Sequence, residues 1–174
     1  MTIEQELSLV AQAQNGNRAA LGSLWDVITP KLYGYLINTL RDSHLAEDIL
    51  QNTWLKATGS ISKFKPQGVR FSAWLFAIAK NECRQHWRAQ KFDEPITENL
   101  ADNLRDNTRE DITEKLYLES VLRRLSEDEQ ELLRLRYISG FSFKEIAKIL
   151  NISAITARVR IHRTLGRARV NLAN

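Results

Sequence analysis

The chain has 174 residues, 43% of them hydrophobic and 26% charged, which suits a soluble globular protein of one medium domain or two small ones. The single cysteine, Cys83, excludes an internal disulfide framework and cannot alone build a zinc site, and His44, His86 and His162 lack metal-ligand spacing. Seven glycines, three prolines and no sustained apolar–polar alternation exclude a loop-rich β architecture and predict an all-α fold.

The net charge of +4 conceals an uneven layout. Residues 1–92 carry 11 basic against 7 acidic side chains, residues 93–114 carry 2 against 8, and residues 115–174 carry 12 against 6. Two basic blocks separated by an acidic segment predict two nucleic-acid-facing units and a linker. The start, MTIEQELS, has neither the basic residues nor the apolar run of a signal peptide, and the apolar run Ala73–Ala79 is too short to span a bilayer. A cytoplasmic protein without membrane insertion is expected.

Thr2 or Ser8 can open a first helix that ends near the turn Asn15-Gly16-Asn17. Leu21, Leu24, Trp25 and Ile28, then Leu32, Leu36 and Leu40, follow helical spacing, with Pro30 expected to kink or divide the segment. Ser43 is a candidate cap for the helix HLAEDILQNTWLKA. Leu45 and Ile49 face inward there, and Glu47, Asp48, Gln51 and Asn52 make an exposed polar strip.

A loop, Gly59 to Gly68, carries Lys63 and Lys65 and leads through Arg70 into AWLFAIAKNECRQHWRAQK. Trp74, Leu75, Ile78 and Ala79 give that helix an apolar side. Lys80, Arg84, Arg88 and Lys91 give it a basic stripe, with Asn81 and Gln85 alongside. Basic side chains beside aromatics and amides can hold a phosphate backbone while bases stack or are read.

Residues 93–114 read as a flexible acidic linker. Beyond it Leu116, Leu118, Val121, Leu122 and Leu125 predict a helix, and Ser126 with Glu129 forms a capping box for a second, carrying Leu132, Leu133, Leu135 and Tyr137. Gly140 breaks it. Ser142 and Glu145 form another capping box, Asn151 suits a left-handed turn, and Ser153 can cap a basic last helix. This is a helix-turn-helix within a four-helix domain.

In that last helix, at about 100° per residue, Ala157, Ile161, Thr164 and Ala168 form one narrow stripe. Ile155, Arg158, Val159 and His162 lie opposite, flanked by Arg160, Arg163 and Arg167. Short side chains around one Arg, with further Arg for phosphates, suit the DNA major groove.

The segments AEDILQNTWLKA, FSAWLFAIAKNECRQHWR and LRRLSEDEQELLRLRYISGFSFKEIAKILNISAITARVRIHR resemble those of bacterial RNA polymerase sigma factors of the extracytoplasmic-function (ECF) type, in the sigma-70 family. The resemblance covers roughly Ala19 to Arg169, in the family's order. It implies sigma region 2 over residues 1–92, an acidic linker over 93–114, and sigma region 4 over 115–174. Core RNA polymerase and promoter DNA are the implied partners, with an anti-sigma factor as a further one. Glu47, Asp48, Gln51 and Asn52 match the surface that docks on the polymerase. Lys63, Lys65, Arg70, Trp74, Asn81, Arg84, Gln85 and Arg88 match the part that opens the −10 element. Ser153, Thr156, Arg158, Arg160 and Arg163 match motif positions of the −35 reader, and Ile155, Val159 and His162 join them as candidates from the exposed face of the last helix. Gln85 stands where the family usually has Asp, and Ile155 where it usually has Gly.

Two other classes stand beside this reading. A free-standing helix-turn-helix regulator would share the DNA-reading helix, need no docking strip, and usually dimerise on a palindrome. A nuclease would draw on carboxylates such as Asp42, Glu47, Asp48 and Glu82, yet no His or Cys ligand accompanies them. No catalytic residue, metal or cofactor is therefore expected.

Overall fold

The computed structural model describes residues 1–66, 68–93 and 124–173. Among these the chain is helical throughout: α1 (Ile3–Gln14), α2 (Arg18–Leu40), α3 (Ser43–Ser60), α4 (Phe71–Asp93), α5 (Glu127–Leu133), α6 (Phe143–Leu150) and α7 (Ala154–Ala173). A 3₁₀ turn, Ile61–Lys63, follows α3, and a π-helical turn, Arg134–Ile138, continues α5. The linker predicted over 93–114 and the helix predicted before Ser126 lie outside the described residues, apart from Asp93, Arg124 and Leu125.

Local chemistry sets the helix boundaries. Thr2 opens α1 with a capping box completed by Gln5, and Asn17 opens α2 by accepting from the amides of Ala19 and Ala20. Asp42, not Ser43, caps α3, accepting from Leu45 at 3.1 Å. A carboxylate one residue earlier offers a charged acceptor to the same free amides and displaces the hydroxyl. Pro30 neither divides nor ends α2, which runs unbroken for 23 residues. An internal proline costs about 3 kcal/mol. Leu24, Ile28, Leu32, Tyr35 and Leu36 are buried along the same helix, and each large apolar side chain returns roughly 1.5–3 kcal/mol. Burial wins.

The first four helices pack successively, α1 on α2, α2 on α3 and α3 on α4. Aromatic side chains fill the space between them. Trp25 meets Trp54 at 4.9 Å between ring centroids, and Phe71, Phe64 and Trp74 lie mutually at 5.3 Å. The remaining helices form a second group in which α5 and α6 both pack on α7.

The two groups touch along α4 and α6. Phe76 meets Phe141 edge-to-face at 4.7 Å, and Tyr35 stacks against Phe76 from the other side of the contact at 5.2 Å. Polar bonds surround this apolar spot. Arg70 pairs with Glu145 through Nε at 2.6 Å and Nη2 at 3.1 Å, and also donates to the Gly140 carbonyl at 3.3 Å. Glu131 accepts from the Tyr35 hydroxyl at 3.1 Å and from Lys80 at 2.9 Å.

Burial alone would raise the Glu145 carboxyl. The Arg70 guanidinium and the Ser142 amide and hydroxyl outweigh it and hold the carboxyl below its usual range. A depressed carboxylate contributes stability above its ordinary value of 4.5 and loses it as pH falls through the lowered value. Arg70→Ala should cost about 1–3 kcal/mol at neutral pH, the range for a buried charged group losing its partner. The deficit should shrink below pH 4.5. Urea unfolding at neutral and acid pH checks it, and a pH-independent loss would count against the ion pair.

Candidate nucleic-acid interface

The helix-turn-helix is built from two caps and one strained residue. Glu145 accepts from the Ser142 amide and hydroxyl, both at 2.8 Å, and its own amide donates to Ser142 Oγ at 3.3 Å. Asn151 ends α6 at φ 54°, in the left-handed region, and its amide returns to the carbonyls of Ala147 and Lys148. Ser153 Oγ accepts from the Thr156 amide at 3.0 Å and starts α7. Ala157, Ile161 and Thr164 are then buried against the rest of the second group, as the predicted stripe requires, with Ala168 partly so. Arg167 ties α7 back to Glu129 on α5 at 2.7 Å.

The opposite face of α7 is open. Ile155 is 77% exposed and Val159 41%, and Arg158, Arg160, His162 and Arg163 are exposed with them, as is Ser153; Thr156 is half-buried. The exposed apolar residues flank a guanidinium, as a base-reading surface needs. Phe143, the first residue of α6, lies beneath. Arg158 sits over its ring at 5.6 Å and Arg136 at 4.7 Å, while the His162 ring is 6.4 Å away.

On α3, Glu47, Asp48, Gln51 and Asn52 are all exposed, while Ala46, Ile49, Thr53, Trp54 and Ala57 are buried behind them. Leu55 extends this strip and is 63% exposed. It stands four residues beyond Gln51 and seven beyond Asp48, so helical spacing alone could have found it.

The third set spans the loop after α3 and the length of α4. Lys63 and Lys65 are exposed, and Asn81, Arg84, Gln85 and Arg88 share one exposed face of α4. Trp74 is half-buried among Phe64 and Phe71. Arg70 differs, since Glu145 and the Gly140 carbonyl occupy it. On the same helix Glu82 pairs with Lys56 through both oxygens, at 2.6 and 2.7 Å.

Helix α1, which the sequence placed in no site, frames that loop at both ends. Gln14 Nε2 donates to the Ile61 carbonyl at 2.8 Å and the Phe64 carbonyl at 2.9 Å. Glu6, buried to 3% exposure, accepts from the Ser72 amide at the start of α4 and from the Ser72 hydroxyl at 3.3 Å. Burial raises the Glu6 carboxyl against these bonds. Its position in a capped, amphipathic helix gave no signal that it would cap another helix 66 residues away.

Burial also pushes the Cys83 thiol up to about 12, which leaves it protonated and unreactive at neutral pH. Among the described residues no group of three His, Cys, Asp or Glu side chains converges to hold a metal ion, and no helix is long and apolar enough to cross a membrane.

Three separate exposed surfaces, one acidic-amide and two basic, therefore share one helical chain. Residues 24–92 match the family model Sigma-70 region 2, and residues 115–167 match Sigma-70, region 4. The RNA polymerase sigma factor CarQ of Myxococcus xanthus is 32% identical over 86% of this chain and 87% of its own length. The chain belongs to the ECF group of the sigma-70 family.

It is thus a promoter-directing sigma factor of RNA polymerase, and sigma factors regulate transcription without themselves being catalysts. The ECF sigma factor BldN of Streptomyces coelicolor is 32% identical over 92% of this chain; the chain spans 64% of that protein's length. Two solved structures resemble the fold, both at a TM-score of 0.69. CnrH, in complex with the cytosolic domain of CnrY, is 27% identical and covers 97% of this chain and 95% of its own. RpoE of Bartonella quintana, with the anti-sigma factor NepR, is 26% identical and covers 88% and 96%.

A single exposed hydroxyl, that of Ser153, accepts from the first turn of α7. Ser153→Ala should destabilise the protein by about 0.5–2 kcal/mol, whereas Ser153→Asp should keep the cap. Thermal or urea unfolding of the two variants checks this.

Proposed function

We propose that the three exposed surfaces divide the work of a sigma factor as follows. Glu47, Asp48, Gln51 and Asn52, joined by Leu55, dock on core polymerase. Lys63, Lys65, Trp74, Asn81, Arg84, Gln85 and Arg88 engage the −10 element, where the basic side chains neutralise phosphates and the aromatic cluster offers a stacking partner for an unstacked base. Unstacking a base costs a few kcal/mol, and stacking on aromatics returns about 1–3 kcal/mol per base. Ser153, Ile155, Thr156, Arg158, Val159, Arg160, His162 and Arg163 engage the −35 element from the major groove.

The observation that carries this reading is the polar strip on α3. A free-standing regulator has no use for an exposed ridge of carboxylates and amides beside an exposed leucine, whereas a subunit that must be held by a larger enzyme does. Arg70 joins the −10 set only after leaving Glu145. The α4–α6 contact therefore opens when the two units engage their separate promoter elements, with residues 93–114 acting as the tether. The factor works in the cytoplasm, where polymerase and DNA are. The relative RpoE, solved with the anti-sigma factor NepR, supports a similar partner here.

Asp48→Ala combined with Gln51→Ala should weaken core binding without loss of helix content, and Leu55→Ala should weaken it further. Competition against wild type for core polymerase measures this, and unchanged affinity would refute the docking assignment. Arg158→Ala should weaken −35 binding by about 1–3 kcal/mol if the guanidinium reads a base edge. An equal loss on every sequence would make it a phosphate contact instead.

A further inference from the structure

We infer that Phe143 is a positioning residue for promoter reading: its ring holds the Arg158 guanidinium in the orientation that meets a base edge, and Arg136 pins the ring. The inference rests on the −35 reading of α7 and goes beyond it, because Phe143 belongs to α6 and lies outside the set assigned to the −35 element.

Three elements meet at this ring. Arg136 comes from the π-helical turn, Phe143 from the first position of α6, and Arg158 from the exposed face of α7. Arg136 Nη1 donates to the Phe141 carbonyl at 2.8 Å while its guanidinium carbon stands 4.7 Å from the Phe143 ring centroid. That bond fixes Arg136 to the backbone just before α6, so the ring has a fixed neighbour on one part of its surface. Arg158 stands 5.6 Å from the same centroid.

A ring attracts a guanidinium through its π quadrupole and uses none of the five N–H donors. Arg158 is thus oriented without being consumed. A carboxylate partner would orient it too, but would take the donors needed for a bidentate contact to guanine. Among the described residues no ion pair claims Arg158. Two cations over one ring also repel each other, which favours the arrival of an acceptor-rich partner, a base edge or phosphate, between them.

The test uses the full-length factor in holoenzyme, on a promoter recovered by run-off transcription from a randomised −35 library. Affinity is measured on that promoter and on versions with the −35 bases changed one at a time. Phe143→Leu keeps an apolar side chain of similar reach and removes the ring face; Phe143→Tyr keeps the face. Phe143→Leu should lower discrimination at the base read by Arg158 by about two- to fivefold, the range for an exposed cation–π contact. Phe143→Tyr should restore it. On an Arg158→Ala background, Phe143→Leu should have no further effect on discrimination. Losses that multiply in the double variant, or a Phe143→Leu protein that is merely less thermostable with discrimination intact, would overturn the inference. If Arg158→Ala alone leaves −35 binding unchanged, the −35 reading of α7 fails and takes this one with it.

Discussion

Glu145 is the side chain on which both the reading unit and its attachment depend. One carboxylate starts α6 by accepting from Ser142, and the same carboxylate receives Arg70 from the other group of helices. It is nearly buried, so an unpaired charge there would be costly. The capping bonds and the guanidinium together satisfy it. Because these jobs fall on one group, the start of the helix-turn-helix and its docking against α4 are energetically linked. Loss of Arg70 leaves Glu145 with the cap alone.

The contact between the two groups is consequently specific without being large. One edge-to-face pair, Phe76 with Phe141, supplies its apolar centre, and around it Tyr35, Arg70 and Lys80 on one side meet Glu131 and Glu145 on the other. These charged pairs lie between the exposed and the buried case, so each couples the two bodies modestly while loss of one partner strands the other. Lys80 and Arg70 retain about a fifth of their side-chain exposure. Such a surface holds two bodies in register through a few specific bonds rather than a broad apolar face. A broader apolar interface would have bound them permanently and withdrawn Arg70 from any other use.

Much of this was legible in the sequence where a local rule acts alone. The capping boxes at Ser126 and Ser142, the left-handed Asn151 and the stripe of Ala157, Ile161 and Thr164 each follow from residue type and spacing, and each stands in the structure. The exposed strip on α3 follows from the same periodicity. What escaped the sequence depends on distant partners. Nothing near Glu6 or Gln14 announces that they bind the chain around Ser72 and Phe64. Nor does the local pattern at Pro30 disclose that buried residues on both sides will carry α2 through it unbroken. Arg70 reads as one more basic residue beside a basic helix until Glu145 is seen across from it.

The π-helical turn at Arg134–Ile138 shows how one local departure serves several of these ends. Tyr137 and Ile138, both in this turn, are 60% and 54% exposed. The two arginines of the turn take different partners. Arg134 turns inward to Glu127 and Gln130 and reaches Thr39 of the first group, while Arg136 turns to the Phe141 carbonyl and the Phe143 ring. The turn costs hydrogen-bond geometry where it occurs. In return it orders the ring beneath Arg158, so the precision of the exposed face of α7 begins two helices earlier in the chain.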